Sequence, residues 1–424
     1  MFWVIVRKEL LDSISTLKFL LIAILIIVLF SASGFVSIKK YERSVESYRV
    51  GREKYFRTTF DTDRNSLRFA APPRQLSIFA HGLEDAMEST FFLQRAAKFN
   101  KRVPAESNPI FAAIRVPDIA YIVMVVVSLL AMFHTYDCIS GERERGTLSL
   151  ALSNSVSRSL FLSGKWIGRY ISLLLPLTLG FLIVLLETCL SSYIIFSIED
   201  WIRIALFFGI TLLYVSLWCS LGVFLSAKTR STNVSLLILF VVWTIAVITL
   251  PRMGMPVARV FIRAPSRSQM EDVRDRISRE REAQYWERRA EGLPRFDEEE
   301  SAEAVKRAER IEQDYMQKHE HLAAVAGHIS RISPAAVYLY ASTSIAGTGI
   351  EDNHKSLNTA LAYICDMRFG MPPTQAGRQR EVEFFPVRLA DSLVCARTDL
   401  ILLVVVNILF FMCAYLFFLR IDIK

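Results

Sequence analysis

Apolar residues run in long blocks along this chain, and charged residues crowd the stretches between them. Six blocks, near 18–38, 118–136, 171–196, 201–226, 233–250 and 399–420, are long enough to cross a hydrocarbon core. A helix needs roughly 20 residues for that, at about 1.5 Å each. The pattern predicts an all-α integral membrane protein of six transmembrane helices. The stretches 39–117 and 251–398 hold more than half of the chain. They are expected to be two extracytoplasmic, mainly helical insertions.

Ahead of the first block, Val4 to Phe19 mixes apolar and charged positions at helical spacing. Residues 1–17 read either as a helix lying in the cytoplasmic interface or as an extension of the first span. In 39–117, Pro72-Pro73 breaks a polar run ahead of Leu76-Ser77-Ile78-Phe79 and His81-Gly82-Leu83, and Pro104, Pro109 and Pro117 follow. In 251–398, Pro251, Pro256 and Pro265 lead into helices expected at about 267–291 and 298–331, with a break near Pro294. The window 271–320 carries 16 acidic and 11 basic residues, both signs intermixed, with few apolar anchors such as Val273, Ile277, Trp286 and Ile311. That is the pattern of a solvated helical hairpin, and its negative balance would repel phosphates rather than bind nucleic acid.

Short connections set orientation through their Lys and Arg. Arg143, Arg145, Arg158, Lys165 and Arg169 lie in 137–170, and Lys228 and Arg230 in 227–232; Arg7, Lys8, Lys18, Arg420 and Lys424 mark the ends, while 197–200 has no Lys or Arg. Both termini are expected on the cytoplasmic side of a cytoplasmic (inner) membrane, with the two long insertions outside. Ser31-Ala32-Ser33-Gly34 resembles a signal-peptide cleavage site, but the apolar run continues through Phe35, Val36 and Ile38, so a retained first span is expected.

Composition sharpens this picture. Apolar residues make up 52% against 22% charged, with a mean hydropathy of +0.33, which disfavours an ordinary soluble enzyme. The net charge of +8 calls for no nucleic-acid partner, because its excess sits in the cytoplasmic segments, where anionic membrane lipid answers it. The six cysteines (Cys138, Cys189, Cys219, Cys365, Cys395 and Cys413) show no C-x-x-C spacing. Only Cys365 and Cys395 fall in an insertion where a disulfide could form.

The most informative polar stretch is Asp137-Cys138-Ile139-Ser140-Gly141-Glu142-Arg143-Glu144-Arg145-Gly146-Thr147-Leu148, followed by Leu152-Ser153-Asn154-Ser155-Val156-Ser157-Arg158 and Gly164-Lys165. Its order resembles the first cytoplasmic loop of ABC transporter type-2 permeases. Pro72-Pro73 with Leu76-Ser77-Ile78 and Gly82, and Ile332-Ser333-Pro334-Ala335 with Ala346-Gly347-Thr348, resemble the branch of that family with large outer loops. Permeases of copper-enzyme maturation share the six-span core, but no residue here assigns that substrate.

The resemblance implies a coupling loop, with Asp137, Gly141, Glu142, Arg143, Glu144, Arg145, Gly146 and Thr147 seated against a separate cytosolic ATPase. Chemistry fits: alternating Glu and Arg offer both signs to a protein surface, and Gly141 and Gly146 permit tight turns. A solvated loop with self-paired Glu and Arg is the bland alternative. The chain itself lacks a phosphate-binding loop, since Gly164-Lys165 is followed by Trp166 and Gly347-Thr348-Gly349 by Ile350-Glu351. ATP and Mg would therefore sit on the partner ATPase, and no cofactor on this chain. The resemblance also implies a second permease subunit, identical or different. The outer insertions invite an envelope protein.

Two further features have both a bland and a functional reading. Glu187, in the outer third of the third span, has Arg203 as its expected partner, as a structural ion pair or as part of a substrate path. Lys318-His319-Glu320-His321 and His328 lack the H-E-x-x-H spacing, so a solvated helix is expected and no metal. No catalytic constellation is visible. The sequence is read as an exporting or substrate-moving permease, with a membrane-anchored scaffold or sensor that binds envelope partners as the alternative.

Overall fold

The computed structural model describes residues 2–58, 66–69, 72–82, 91–94, 117–153, 157–265, 267–290, 298–352, 355 and 387–420. Among these are six helices long and apolar enough to cross a membrane: Leu17–Val50, Ile119–Glu144, Arg158–Leu190, Ile198–Lys228, Thr232–Phe261 and Leu389–Leu419. The fold is that of an all-α membrane protein. One short addition stands outside that description, an antiparallel pair of strands β1 (Ser66–Phe69) and β2 (Phe91–Gln94), with Ser66 opposite Gln94.

Two compact units make up the chain. The larger comprises 1–100, 109–251 and 333–424; the smaller comprises 101–108 and 252–332. The larger unit opens with α1 (Phe2–Ile14), which stops before α2 (Leu17–Thr58). Thr16 makes the break: its hydroxyl accepts the Phe19 N–H at 3.2 Å, capping α2. A continuous extension of the first span is thereby set aside.

The second span begins at α3 (Ile119–Ile122), passes through a π-helical turn at Val123–Val127, and continues as α4 (Ser128–Thr135) and α5 (Ser140–Glu144). Asp118 caps it, accepting the Tyr121 N–H at 2.7 Å and the His81 N–H at 2.6 Å. After α6 (Thr147–Ser153) come α7 (Arg158–Leu190) and α8 (Ile198–Lys228). The fifth span is α9 (Thr232–Trp243), a second π-turn at Thr244–Thr249, and α10 (Leu250–Phe261).

Several bounds differ from those expected. The third span starts at Arg158 rather than 171, because Lys165 and Arg169, whose charge argues against a span, are neutralised by ion pairs. The helix of the first span runs on to Thr58 and the fifth span to Phe261. The helix of the last span begins at Leu389 rather than 399.

Within a bilayer lipid is as apolar as a leucine side chain, so close packing rather than water exclusion holds spans together. Small residues mark those contacts here. A Cβ on Gly222 would collide with Thr135 Oγ1, and one on Gly180 would meet Phe30 at 3.3 Å. The second span thus presses on the fourth, and the first on the third.

The largest departure from expectation lies in 251–398, which does not form one insertion. Its part from Ser333 onward belongs to the larger unit. There α13 (Pro334–Ala346), 13 residues long, is buried almost throughout against α8 and α14 (Leu389–Leu419). Helix ends leave orphan backbone groups, and buried ends need partners for them. Ser333 accepts from the N–H groups of Ala335 and Ala336, Pro334 occupies the first turn, and Gly347 ends the helix in the left-handed region at φ 72°.

The segment 72–82 closes over the far end of α13. Thr348 Oγ1 donates to Ala80 O at 2.7 Å, Arg74 donates to Gly347 O, and a Cβ on Gly82 would collide with Thr348 O. The two motif stretches around Pro72-Pro73 and Ser333-Pro334, far apart in sequence, therefore belong to one packed region.

In the smaller unit, α11 (Arg267–Ala290) and α12 (Glu298–Ser330) lie where the charge pattern places helices. Met255 and Ala258 pack on Leu322 and Ala326, the unit's apolar anchor.

Candidate functional site

The loop after the second span is built on an ionic chain. Glu142 Oε1 lies 2.8 Å from Lys165 Nζ, which is 2.9 Å from Glu9 Oε2. Glu9 Oε1 accepts from Arg169 Nε at 2.7 Å; Arg169 Nη1 lies 3.5 Å from Asp137 Oδ1, and Asp137 Oδ2 is 3.2 Å from Lys18 Nζ. Three carboxylates and three cations from α1, α2, the second span and α7 alternate along one line. Burial alone would raise the Glu9 carboxyl, but Lys165 and Arg169 together outweigh it and hold the group below its ordinary 4.5.

Glycines bring α1 close enough to join this chain. A Cβ on Gly164 would meet Ile5 Cγ2 at 2.8 Å, and one on Gly168 would meet Glu9 Cβ at 2.7 Å. Gly164-Lys165-Trp166-Ile167-Gly168 is a small-x-x-x-small face on α7, and Val6, Glu9 and Ser13 of α1 turn toward it. Ser13 Oγ also lies 2.9 Å from His134 Nε2, which in turn is 2.7 Å from Ser172 Oγ. Sequence reasoning missed this docking, although the spacing of Gly164 and Gly168 signals it.

The loop residues divide by role. Glu142 turns inward to Lys165. Arg143 donates to Thr229 O at 2.7 Å and Ala227 O at 3.2 Å, covering the end of α8. Glu144 accepts from Thr232 N at 2.9 Å and Thr232 Oγ1 at 2.8 Å, covering the start of α9. Gly146 takes φ 72°, which ends α5 and turns the chain into α6. Gly141 sits inside α5 with ordinary space around it: a Cβ there would come within 3.6 Å of Asp137 Cβ and no closer to anything else, so no tight turn rests on it. Each of the four charges is held to its own chain, Arg145 Nε donating to Gly141 O at 3.0 Å, and only Glu144 and Arg145 are also exposed. What faces out is Glu144, Arg145, Thr147, Ser149 and Leu150, the last 70% exposed.

Glu187 and Arg203 are not brought together. Ser31 Oγ donates to Glu187 Oε1 at 2.6 Å, and a Cβ on Gly34 would meet Glu187 Oε2 at 2.6 Å. Glu187 thus joins the third span to the first. Arg203 is buried elsewhere: it donates to Ile345 O at 2.8 Å, to Ser392 Oγ at 3.0 Å and to Val387 O, with Glu199 2.9 Å away as counter-ion. The expected pairing gives way because α13, invisible as a span, supplies carbonyls at a helix C-terminus that favour a cation.

His319 Nε2 donates to Pro265 O at 2.9 Å, a structural bond within the smaller unit. Among the described residues no group of three metal-capable side chains gathers. Cys395 carries a free thiol, and Cys365 lies outside the described residues.

Six apolar spans with an ordered, charge-braced loop describe a multi-pass membrane protein. A family model of ABC-2 family transporter proteins matches residues 3–423, and the chain belongs to that family. It is a multi-pass membrane permease of ABC transport, and permeases of this family work with ATPase subunits. No curated protein matches the chain.

Proposed function

We propose that this chain is the membrane-spanning subunit of an ATP-driven transporter that moves its substrate across the cytoplasmic membrane, with a separate cytosolic ATPase docked on the loop 137–150. The carrying observation is the division of labour in that loop. Glu142, Arg143 and Glu144 brace it to α7, α8 and α9, while Arg145, Thr147 and Leu150 stay exposed. A braced loop with an exposed tip is what transmission of a partner's motion requires. ATP and Mg belong to the ATPase, and a second permease subunit, identical or different, completes the substrate path.

Orientation follows from charge. Arg7, Lys8, Arg145, Lys228, Arg230 and Arg420 are exposed around the loop end, against exposed Asp12 and Glu144. That excess supports a cytoplasmic placement of this end and of both termini. The outer insertions would then be free to meet an envelope protein.

Affinity purification of the tagged chain from its own host, followed by mass spectrometry and an ATPase assay, tests this reading. An ABC ATPase recovered with wild type and lost with Arg145→Glu plus Leu150→Asp is the expected result. Recovery of envelope proteins with no ATPase would replace it with the scaffold reading.

A further inference from the structure

The two π-turns of the larger unit are joined through side chains into one closed ring. A π-turn holds one residue more than an α-turn and leaves carbonyls free for other donors. In the second span the carbonyl of Met124 accepts from Tyr214 Oη of α8 at 2.9 Å and from Ser128 Oγ at 2.6 Å. In the fifth span the carbonyl of Ala246 accepts from Ser333 Oγ, the cap of α13.

The two turns are linked along two separate routes. On one, Trp243 Nε1, immediately before the fifth-span turn, donates to Ser128 Oγ at 2.9 Å, immediately after the second-span turn. On the other, α13 carries Ser333 at its start and Tyr338 further along. The Tyr338 ring stacks on Tyr214 at 4.4 Å, and its hydroxyl lies 3.1 Å from Thr211 Oγ1. From Ala246 the ring passes through Ser333, Tyr338, Tyr214, Met124, Ser128 and Trp243 and returns to the fifth span. The side chains that form it are buried, so no bulk water stands ready to replace a lost partner.

We infer that α13 keys the two π-turns together, so that the second and fifth spans change register as one unit, with Ser333, Tyr214, Ser128 and Trp243 as positioning residues. Converting a π-turn to an α-turn frees one residue and rotates the helix beyond it. With the carbonyls shared around a ring, one turn cannot convert without breaking a bond that holds the other. α13 is itself fixed at its far end by Arg203 and Arg74, which bond its last carbonyls, so it acts as a strut rather than a loose plug. The role in transport rests on the permease reading above; the joining of the turns does not.

Hydrogen exchange of the purified chain in nanodiscs, read by mass spectrometry, tests the joining directly. Of the two turns, Ser333→Ala touches only the fifth-span one, removing the cap of α13 as well, and Tyr214→Phe touches only the second-span one while keeping the stacked ring. Each is expected to raise exchange about fivefold in both 123–127 and 244–249, the change that follows from losing a hydrogen bond worth about 1 kcal/mol. Thr188→Val, which removes a buried hydroxyl outside the ring, is expected to leave both turns at wild-type exchange. A rise confined to the turn each variant touches, or no rise in either, overturns the inference. Should Ser333→Ala not yield folded protein, Tyr214→Phe read at 244–249 decides alone. Because the readout is exchange at the two turns and not ATPase recruitment, its failure is distinct from failure of the docking loop.

Discussion

Glu9 shows how much one side chain can organise. It is buried between Lys165 and Arg169, and its carboxyl is held below the ordinary 4.5. A depressed carboxyl contributes stability that is present above its unfolded value and lost as pH falls through the folded one. Thermal unfolding in detergent is therefore expected to be insensitive to Glu9 from neutral pH to about 5 and to weaken below its ordinary value. Glu9→Gln should unfold earlier at pH 7 and lose part of that acid limb, as a pH series on both proteins would reveal. Breaking a buried pair costs about 3–5 kcal/mol, and the lower end is expected here because Glu142 and Asp137 remain beside the two cations. Two glycines make a sharper contrast. Gly146→Ala meets nothing within 4 Å and should cost only the left-handed strain, about 1 kcal/mol. Gly168→Ala drives its methyl against Glu9 Cβ and should loosen α1, read as faster proteolysis near the amino terminus.

At the scale of elements, what was legible in the sequence follows from length and period. The six apolar runs announce themselves because crossing lipid demands an uninterrupted stretch, and α11 and α12 because charge at helical spacing is uniform along them. α13 did not. Its 13 residues, Pro334 to Ala346, are too short to span and are rich in Ala, Ser and Tyr, so they read as part of an insertion. Only the cap signals Ser333-Pro334 and Gly347 marked it as a helix, and nothing local marked its burial. The partners of Glu9, Glu187 and Arg203 were likewise hidden, because each lies on another element fixed by packing. Gly347→Ala tests the element: at φ 72°, and with Arg74 Nη1 3.2 Å from the added methyl, it should lower the melting temperature and leave the spans intact by circular dichroism.

For the molecule as a whole, family membership sets the class and the loop end sets the most direct test. Glu144→Gln keeps an acceptor for Thr232 and is expected to retain the ATPase in a pull-down, whereas Arg145→Glu should shed it. The ionic chain beneath the loop has a consequence for how the two can be told apart. With three positive and three negative members, largely shielded from solvent, it presents no net charge to the surrounding electrolyte. Dissolved ions act over a Debye length of about 8 Å at roughly 0.15 M, and far less on buried pairs than on exposed ones. Raising the salt should therefore strip a partner held by the exposed arginines and lysines while the loop keeps its shape, and returning to low salt should restore the complex without refolding.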